Sequence, residues 1–249
     1  MLVLFSKTAR SRGRCAAKPH GETDERLKAM TYAIIAAGGQ GMRFGADIPK
    51  QFTLIDGIPI LRMTVDRFEE TDEIDKIIIA CPEAFREMTE EILTGTAKTA
   101  VTEGGATRND TIMKAIDYIE ETDGLDENTV IVTHDAVRPF VTSEIIRESI
   151  ISAEENGASV AAVEAVDTMI ITEDGKTISE VPDRSKIYHV QTPQTFRAMK
   201  LRKLYNSLTD EEKASLTDCS KIFLYKNQKV AIIKGDRINI KITYQSDVK

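Results

Sequence analysis

Ala36-Ala37-Gly38-Gly39-Gln40-Gly41-Met42-Arg43-Phe44-Gly45-Ala46-Asp47-Ile48-Pro49-Lys50-Gln51-Phe52 follows directly on the apolar run Tyr32-Ala33-Ile34-Ile35, so a short buried strand opens into a glycine-rich loop with two cations close behind. Gly38, Gly39 and Gly41 lack a Cβ. Their backbone is free to take positive φ and to turn N–H groups onto an anion. Arg43 and Lys50 add mobile positive charge. A strand, a glycine loop and two cations suit a triphosphate better than a neutral ligand, because the charge must meet donors that are already oriented.

Two common glycine loops do not fit. A Walker A motif needs Gly-Lys-Ser/Thr at its end, and here Lys50 follows Pro49. The dinucleotide fingerprint G-x-G-x-x-G fails by one residue: Gly39-Gln40-Gly41 is followed by Gly45, and the acidic candidate Asp56 lies in the turn dipeptide Asp56-Gly57. An NAD-dependent oxidoreductase is therefore disfavoured. A plain strand-to-helix turn explains Gly38 and Gly41 but leaves Arg43 and Pro49-Lys50-Gln51 without a reason.

Outside the loop, short β-branched runs alternate with amphipathic stretches, which predicts an α/β fold with a mainly parallel sheet. Strands are expected at Tyr32–Ala36, Lys76–Cys81, Thr99–Thr102, Val130–Thr133, Val160–Glu164, Val230–Lys234 and Ile240–Thr243. Helices are expected at Ile60–Glu70, Asp110–Ile119 and Ser143–Asn156, the last capped by Thr142 and closed by Gly157, and again through Arg197–Lys226. Around Met169–Val181 the rhythm changes to polar-apolar alternation broken by Asp174-Gly175, a hairpin signal, which reads as an inserted β-arm at about 169–186. Such an arm has a poor core of its own and is expected to pack on another subunit.

The chain has 249 residues with 41% hydrophobic residues, enough for one large domain over 30–249. After the apolar Met1–Phe5, residues 1–29 are polar and basic without periodicity and read as a disordered extension, with Met30 a candidate start of translation. A net charge of -7 argues against nucleic acid or an anionic membrane as the main partner, though a local basic pocket can be built from Arg43, Lys50, Arg108, Arg138, Arg184 and Lys241. Three scattered cysteines, Cys15, Cys81 and Cys219, predict a reduced, cytoplasmic protein. His20, His134 and His189 show no zinc spacing, and no apolar run reaches the length of a membrane span.

The strings Ala36-Ala37-Gly38-Gly39-x-Gly41-x-Arg43, Pro49-Lys50-Gln51, Glu103–Thr111, Thr133–Pro139, Val166-Asp167-Thr168, Asp183-Arg184, Gln191–Arg197, Leu216–Phe223 and Asn239–Thr243 occur in this order over nearly the whole chain after Met30. Together they resemble the CTP-dependent sugar- and alditol-phosphate cytidylyltransferases. The resemblance implies a three-layer Rossmann-like nucleotidyltransferase fold, a homodimer formed through the β-arm, and Mg²⁺ brought with the substrate. In the family reaction an acceptor phosphate oxygen attacks the α-phosphorus of CTP and pyrophosphate leaves. Carried onto this sequence, Arg43, Lys50 and Lys241 are the catalytic cations. Ala36, Ala37, Gly38, Gly39, Gly41, Gly104, Gly105, Ala106, Arg108, Thr111, Asp135 and Ala136 hold the nucleotide. Asp167, Thr168, Arg184, Thr192 and Lys241 hold the acceptor, and Asp135 contacts the metal. His134 is expected to serve structurally, and Arg138 to pair with a carboxylate or to bind.

Two departures from the family pattern stand out. Ile238 occupies the place of an aspartate often found before Asn239-Ile240-Lys241, and the chain stops at Lys249 where relatives usually continue into a helix. Among acceptors, ribitol 5-phosphate, a precursor for cell-wall teichoic acid, is expected first, because Ala106, Thr133-His134-Asp135, Glu164–Thr168 and Thr217–Lys221 look closer to that branch. The alternative is 2-C-methyl-D-erythritol 4-phosphate of isoprenoid synthesis. From another class, a catalytically inactive nucleotide-binding protein is disfavoured by the intact Arg43, Lys50, Asp135 and Lys241.

Overall fold

The computed structural model of the chain describes residues 29–39 and 48–248. Gly41, Arg43 and nearly all of the expected extension lie outside the described residues. In chain order the elements are β1 (Thr31–Ala36), β2 (Leu54–Ile55), β3 (Ile58–Pro59), α1 (Ile60–Glu69), β4 (Lys76–Cys81), α2 (Arg86–Ile92), β5 (Thr99–Glu103) and α3 (Arg108–Thr122). There follow β6 (Val130–Asp135), α4 (Ser143–Asn156), β7 (Ala158–Glu164), β8 (Tyr188–Arg197), α5 (Ala198–Asn206), α6 (Asp210–Ala214), α7 (Ser220–Tyr225) and β9 (Ala231–Lys234).

Seven strands form one sheet in the order β5-β4-β1-β6-β8-β7-β9. The pairs β5/β4, β4/β1, β1/β6 and β7/β9 are parallel, whereas β8 runs antiparallel to both β6 and β7. Successive side chains of a strand face opposite sides, so a strand apolar at every position must be covered twice. In β1, Ala33 and Ile35 pack with Leu61, Val65 and Phe68 of α1 and with Ile145, Ile146 and Ile150 of α4. Tyr32 and Ile34 pack on the other side with Ile112, Ile116 and Ile119 of α3, Leu201 of α5 and Phe223 of α7. The result is the three-layer α/β arrangement expected from the sequence. α4 has the expected ends: the Thr142 hydroxyl accepts from the Ile145 N–H, and Gly157 closes the helix in the left-handed region at φ 83°.

The structure departs from expectation in several elements, and it adds α2 and the β2/β3 pair, which the sequence reading does not include. β8 was not foreseen, because its core positions Gln191, Thr192, Gln194 and Thr195 are buried polar residues and Pro193 sits among them. Its pairing with β7 shifts register between Val160 and Ala162, where a proline without an N–H is tolerated. The single helical stretch expected over 197–226 is three short helices. Ile240–Thr243 is not a strand; the alternation arises because Ile242 is buried against Ile60 and Val137, with its N–H donating to the Val137 carbonyl at 2.9 Å. The arm turns at Gly175 (φ 69°), and its backbone pairing is a single bridge between Ile171 and Glu180.

Candidate active site

The carboxyl ends of the parallel strands β1 and β6, with the loop that follows β5, face a cavity of about 430 Å³ at the edge where open α/β sheets present ligand groups. β1 delivers Ala36–Gly39 to one wall. Neither Gly38 nor Gly39 takes a positive φ, contrary to the expectation for the loop. Among the described residues a Cβ on Gly39 would meet nothing within 4 Å, and one on Gly38 only the Thr111 hydroxyl at 3.9 Å. The missing side chains leave room in the cavity instead of permitting a turn.

The motif Pro49-Lys50-Gln51 forms a short 3-10 turn that seats both polar side chains inward. Lys50 is 8% exposed and donates from Nζ to the Ile242 carbonyl at 2.8 Å. Gln51 Nε2 donates to the Ala37 carbonyl at 2.7 Å, which ties this turn to the end of β1. Lys50 is legible in the sequence as a cation near the glycine loop, whereas the role of Gln51 follows from its burial, at 2% exposure, which only the fold supplies.

The opposite wall is the loop between β5 and α3. Thr107 caps α3 in a reciprocal capping box with Asp110, so the amino end of a 15-residue helix opens on the cavity. Thr111 Oγ1 accepts from the Gly105 N–H at 2.9 Å and donates to the Thr107 carbonyl at 2.8 Å, which folds Gly104–Thr107 over the helix end. Gly105 is obligatory here: a Cβ would stand 2.7 Å from backbone atoms of Asp110 and Thr111.

Asp135, the last residue of β6, forms the floor. Its Oδ1 accepts from Arg108 Nε at 3.0 Å, and Oδ2 lies 2.9 Å from Lys241 Nζ and 3.4 Å from Arg138 Nε. Burial by itself would push this carboxyl up, but Arg108, Lys241 and Arg138 outweigh burial and hold it well below the usual carboxylate range. One carboxylate against three cations leaves the floor net positive. Arg108 also carries two buried terminal nitrogens with no hydrogen-bond partner among the described residues. Arg138 donates from Nη1 to the Asn239 carbonyl at 2.8 Å and so pairs with a carboxylate and holds a loop at once.

The cavity therefore brings together Ala36, Ala37, Gly38, Gly39, Lys50, Gly105, Ala106, Arg108, Thr111, Asp135, Ala136 and Lys241 of the expected site. Gly104 lies just behind, with its N–H on the Cys81 carbonyl at 2.8 Å. Thr192 is 4% exposed beneath Asp135. Asp167, Thr168 and Arg184 do not line this cavity. Arg184 instead lines a second, open cavity of about 560 Å³ with Glu164, Val166, Asp183 and Arg237, and its Nη1 donates to the Val166 carbonyl at 2.7 Å.

A resident divalent ion does not fit the floor. Among the described residues no group of three or more His, Cys, Asp or Glu is placed to hold a metal, and both oxygens of Asp135 already face cations. Cys81 and Cys219 are buried free thiols, and burial pushes the Cys219 thiol up to about 12 against the pull of Arg108, too high for a nucleophile. Among the described residues no helix is long and apolar enough to cross a membrane.

A family model described as "IspD: 2-C-methyl-D-erythritol 4-phosphate cytidylyltransferase" matches residues 31–249. Among solved structures, 4-diphosphocytidyl-2C-methyl-D-erythritol synthase from Anaerococcus prevotii is 28% identical, with 88% of this chain and 93% of that chain covered and a TM-score of 0.74. The 2-C-methyl-D-erythritol 4-phosphate cytidylyltransferase from Francisella tularensis is also 28% identical, with 88% and 97% covered and a TM-score of 0.73. The enzyme of that name from Thermus thermophilus is similar in fold, at 23% identity, 88% and 95% coverage and a TM-score of 0.69.

Proposed function

This chain belongs to the IspD family of CTP-dependent cytidylyltransferases, and from that premise we propose that it transfers the cytidylyl group of CTP to 2-C-methyl-D-erythritol 4-phosphate, releasing pyrophosphate. The observation that carries this reading is the match of the family model over all but the first 30 residues, on a chain whose cavity holds Lys50, Arg108, Asp135 and Lys241 together. The same acceptor appears in the names of the solved relatives at 28% identity. A second reading, ribitol 5-phosphate, rests on Ala106, Thr133-His134-Asp135, Glu164–Thr168 and Thr217–Lys221, the strings that favour that acceptor in the sequence.

In either case a phosphate oxygen of the acceptor forms a bond to the α-phosphorus as the bond to the pyrophosphate oxygen breaks. No covalent enzyme intermediate is required. The protein's work is positioning and charge stabilisation. Lys50, with Arg43, meets charge growing on the α-phosphate and the departing pyrophosphate, and the amino end of α3 with Gly104–Ala106 receives the nucleoside. Mg²⁺ enters as part of the substrate, bound to the triphosphate. Lys241, at 40% side-chain exposure the most accessible cation on Asp135, is the one able to swing to the acceptor phosphate.

Asp167, Thr168 and Arg184 complete the acceptor side across a homodimer built on the arm. Ile170, Ile171, Ile178 and Val181 are exposed along it, which supports a partner surface there. A cytoplasmic setting belongs to the same reading, since Cys15, Cys81 and Cys219 are scattered in the sequence with no disulfide framework.

Pyrophosphate release with Mg²⁺-CTP and each acceptor in turn tests the reading. Release with 2-C-methyl-D-erythritol 4-phosphate at a kcat/KM at least about tenfold above ribitol 5-phosphate is expected, a difference of about 1.4 kcal/mol in transition-state binding. The reverse order selects the ribitol reading, and release with neither overturns both.

A further inference from the structure

Beneath the floor lies a buried polar chain that the transfer step does not use. The His134 ring is fully buried and covered by Phe68, centroids 5.0 Å apart. Its Nε2 is 3.1 Å from the Arg138 carbonyl and its Nδ1 2.9 Å from Thr192 Oγ1, which in turn lies 3.2 Å from the Asp135 backbone nitrogen. A carbonyl can only accept, so Nε2 carries the proton. Nδ1 is then a lone pair, the Thr192 hydroxyl must donate to it, and the hydroxyl oxygen accepts from the Asp135 N–H. Only one direction satisfies every group. The opposite tautomer would set two lone pairs against each other at Arg138 and a ring N–H against the Thr192 hydroxyl, which would then have to give up its donor role.

This chain begins at the amide of Asp135 and ends at the carbonyl of Arg138. It brackets the turn, closed by Arg138 N–H to the Asp135 carbonyl at 3.1 Å, that carries the floor carboxylate and one of its cations. Asn239 joins the same unit: its Nδ2 donates to the Thr192 carbonyl at 2.8 Å, its own carbonyl accepts from Arg138, and Lys241 follows two residues on. We infer that His134 and Thr192 are positioning residues for cytidylyl transfer, a directional hydrogen-bond relay that fixes where the Asp135 carboxylate and its cations stand. This gives the Thr192 hydroxyl a partner inside the protein instead of on the acceptor. The inference rests on the family's CTP-dependent activity and not on which acceptor is used.

Two measurements test it. In the free protein, ¹⁵N NMR of the His134 ring is expected to report a protonated Nε2 and an unprotonated Nδ1; the opposite tautomer overturns the relay whatever the acceptor proves to be. In steady-state kinetics with whichever acceptor turns over, Thr192→Val is expected to lower kcat roughly tenfold, on the scale of one buried hydrogen bond, while Thr192→Ser stays within about twofold of wild type. A Thr192→Val protein with unchanged kcat and a raised KM for the acceptor alone overturns the relay in favour of direct contact. A Thr192→Ser protein as impaired as Thr192→Val overturns it too, since the hydroxyl would then not be the operative group.

Discussion

Lys50→Ala lowers kcat by about 10²–10³, corresponding to roughly 3–4 kcal/mol of transition-state stabilisation, with little change in thermal stability or in KM for CTP. The expectation follows from where the ammonium sits. Pro49 and the 3-10 turn bring Lys50 into a cavity wall, where it is nearly buried and held at 2.8 Å from the Ile242 carbonyl. A cation in a low-dielectric wall interacts more strongly with charge that develops beside it than one in water does. The Ile242 carbonyl orients the ammonium within the wall, so the charge is already positioned before a phosphate arrives. Lys50→Arg does not restore the loss, because a planar fork does not fit the place of a compact ammonium. Steady-state kinetics at saturating acceptor measure this, and near wild-type turnover of Lys50→Ala would remove Lys50 from the catalytic set.

Asp135→Asn has the largest expected effect on stability, a loss of about 3–5 kcal/mol in denaturant unfolding at neutral pH. The amide keeps the shape of the carboxylate and removes its charge, leaving Arg108, Arg138 and Lys241 gathered without an anion. Arg108 suffers most, since its terminal nitrogens have no hydrogen-bond partner among the described residues. The effect has a pH signature. The Asp135 carboxyl is held below its unfolded value, so its contribution is complete above the unfolded pKa of about 4 and is lost as pH falls toward the folded one. The gap between wild type and variant therefore narrows below about pH 4. His134, which burial pushes down to about 4, lowers the stability of both proteins as pH falls from its unfolded value of about 6.5, and largely cancels in the difference. A gap that stays constant into acid would contradict the ion-paired carboxylate.

Much of this arrangement was legible in the sequence because it rests on local signals. The apolar runs of β1, β4 and β6 marked buried parallel strands, Thr142 and Gly157 marked the ends of α4, and the strings around Lys50, Gly105 and Asp135 pointed to one cavity. What escaped depends on partners distant in the chain. β8 is a central strand written in glutamines, threonines and a proline; its burial follows from its place between β6 and β7, which no local pattern announces. Gln51 looks like an ordinary polar residue until Ala37 is brought beside it, and the structural role expected of His134 acquires its partners only once Thr192 and the Arg138 carbonyl are in place. Ile240–Thr243 shows strand alternation because one isoleucine is buried and the neighbouring lysine turns to Asp135, a requirement of the site and not of a sheet. Asp167, Thr168 and Arg184 match the family strings yet stand away from the cavity, on a segment whose apolar residues face outward.

The central claim is that the cavity between β1 and the amino end of α3 receives CTP, with cations held in readiness on Asp135. A crystal structure with Mg²⁺ and CTP tests it most directly. The predicted result has the cytosine against Gly105 and Ala106, Lys50 Nζ within hydrogen-bond distance of a phosphate oxygen, and Asp135 still paired with Arg108. A nucleotide bound in the other cavity beside Arg184 and Arg237, or phosphates out of reach of Lys50, would contradict it.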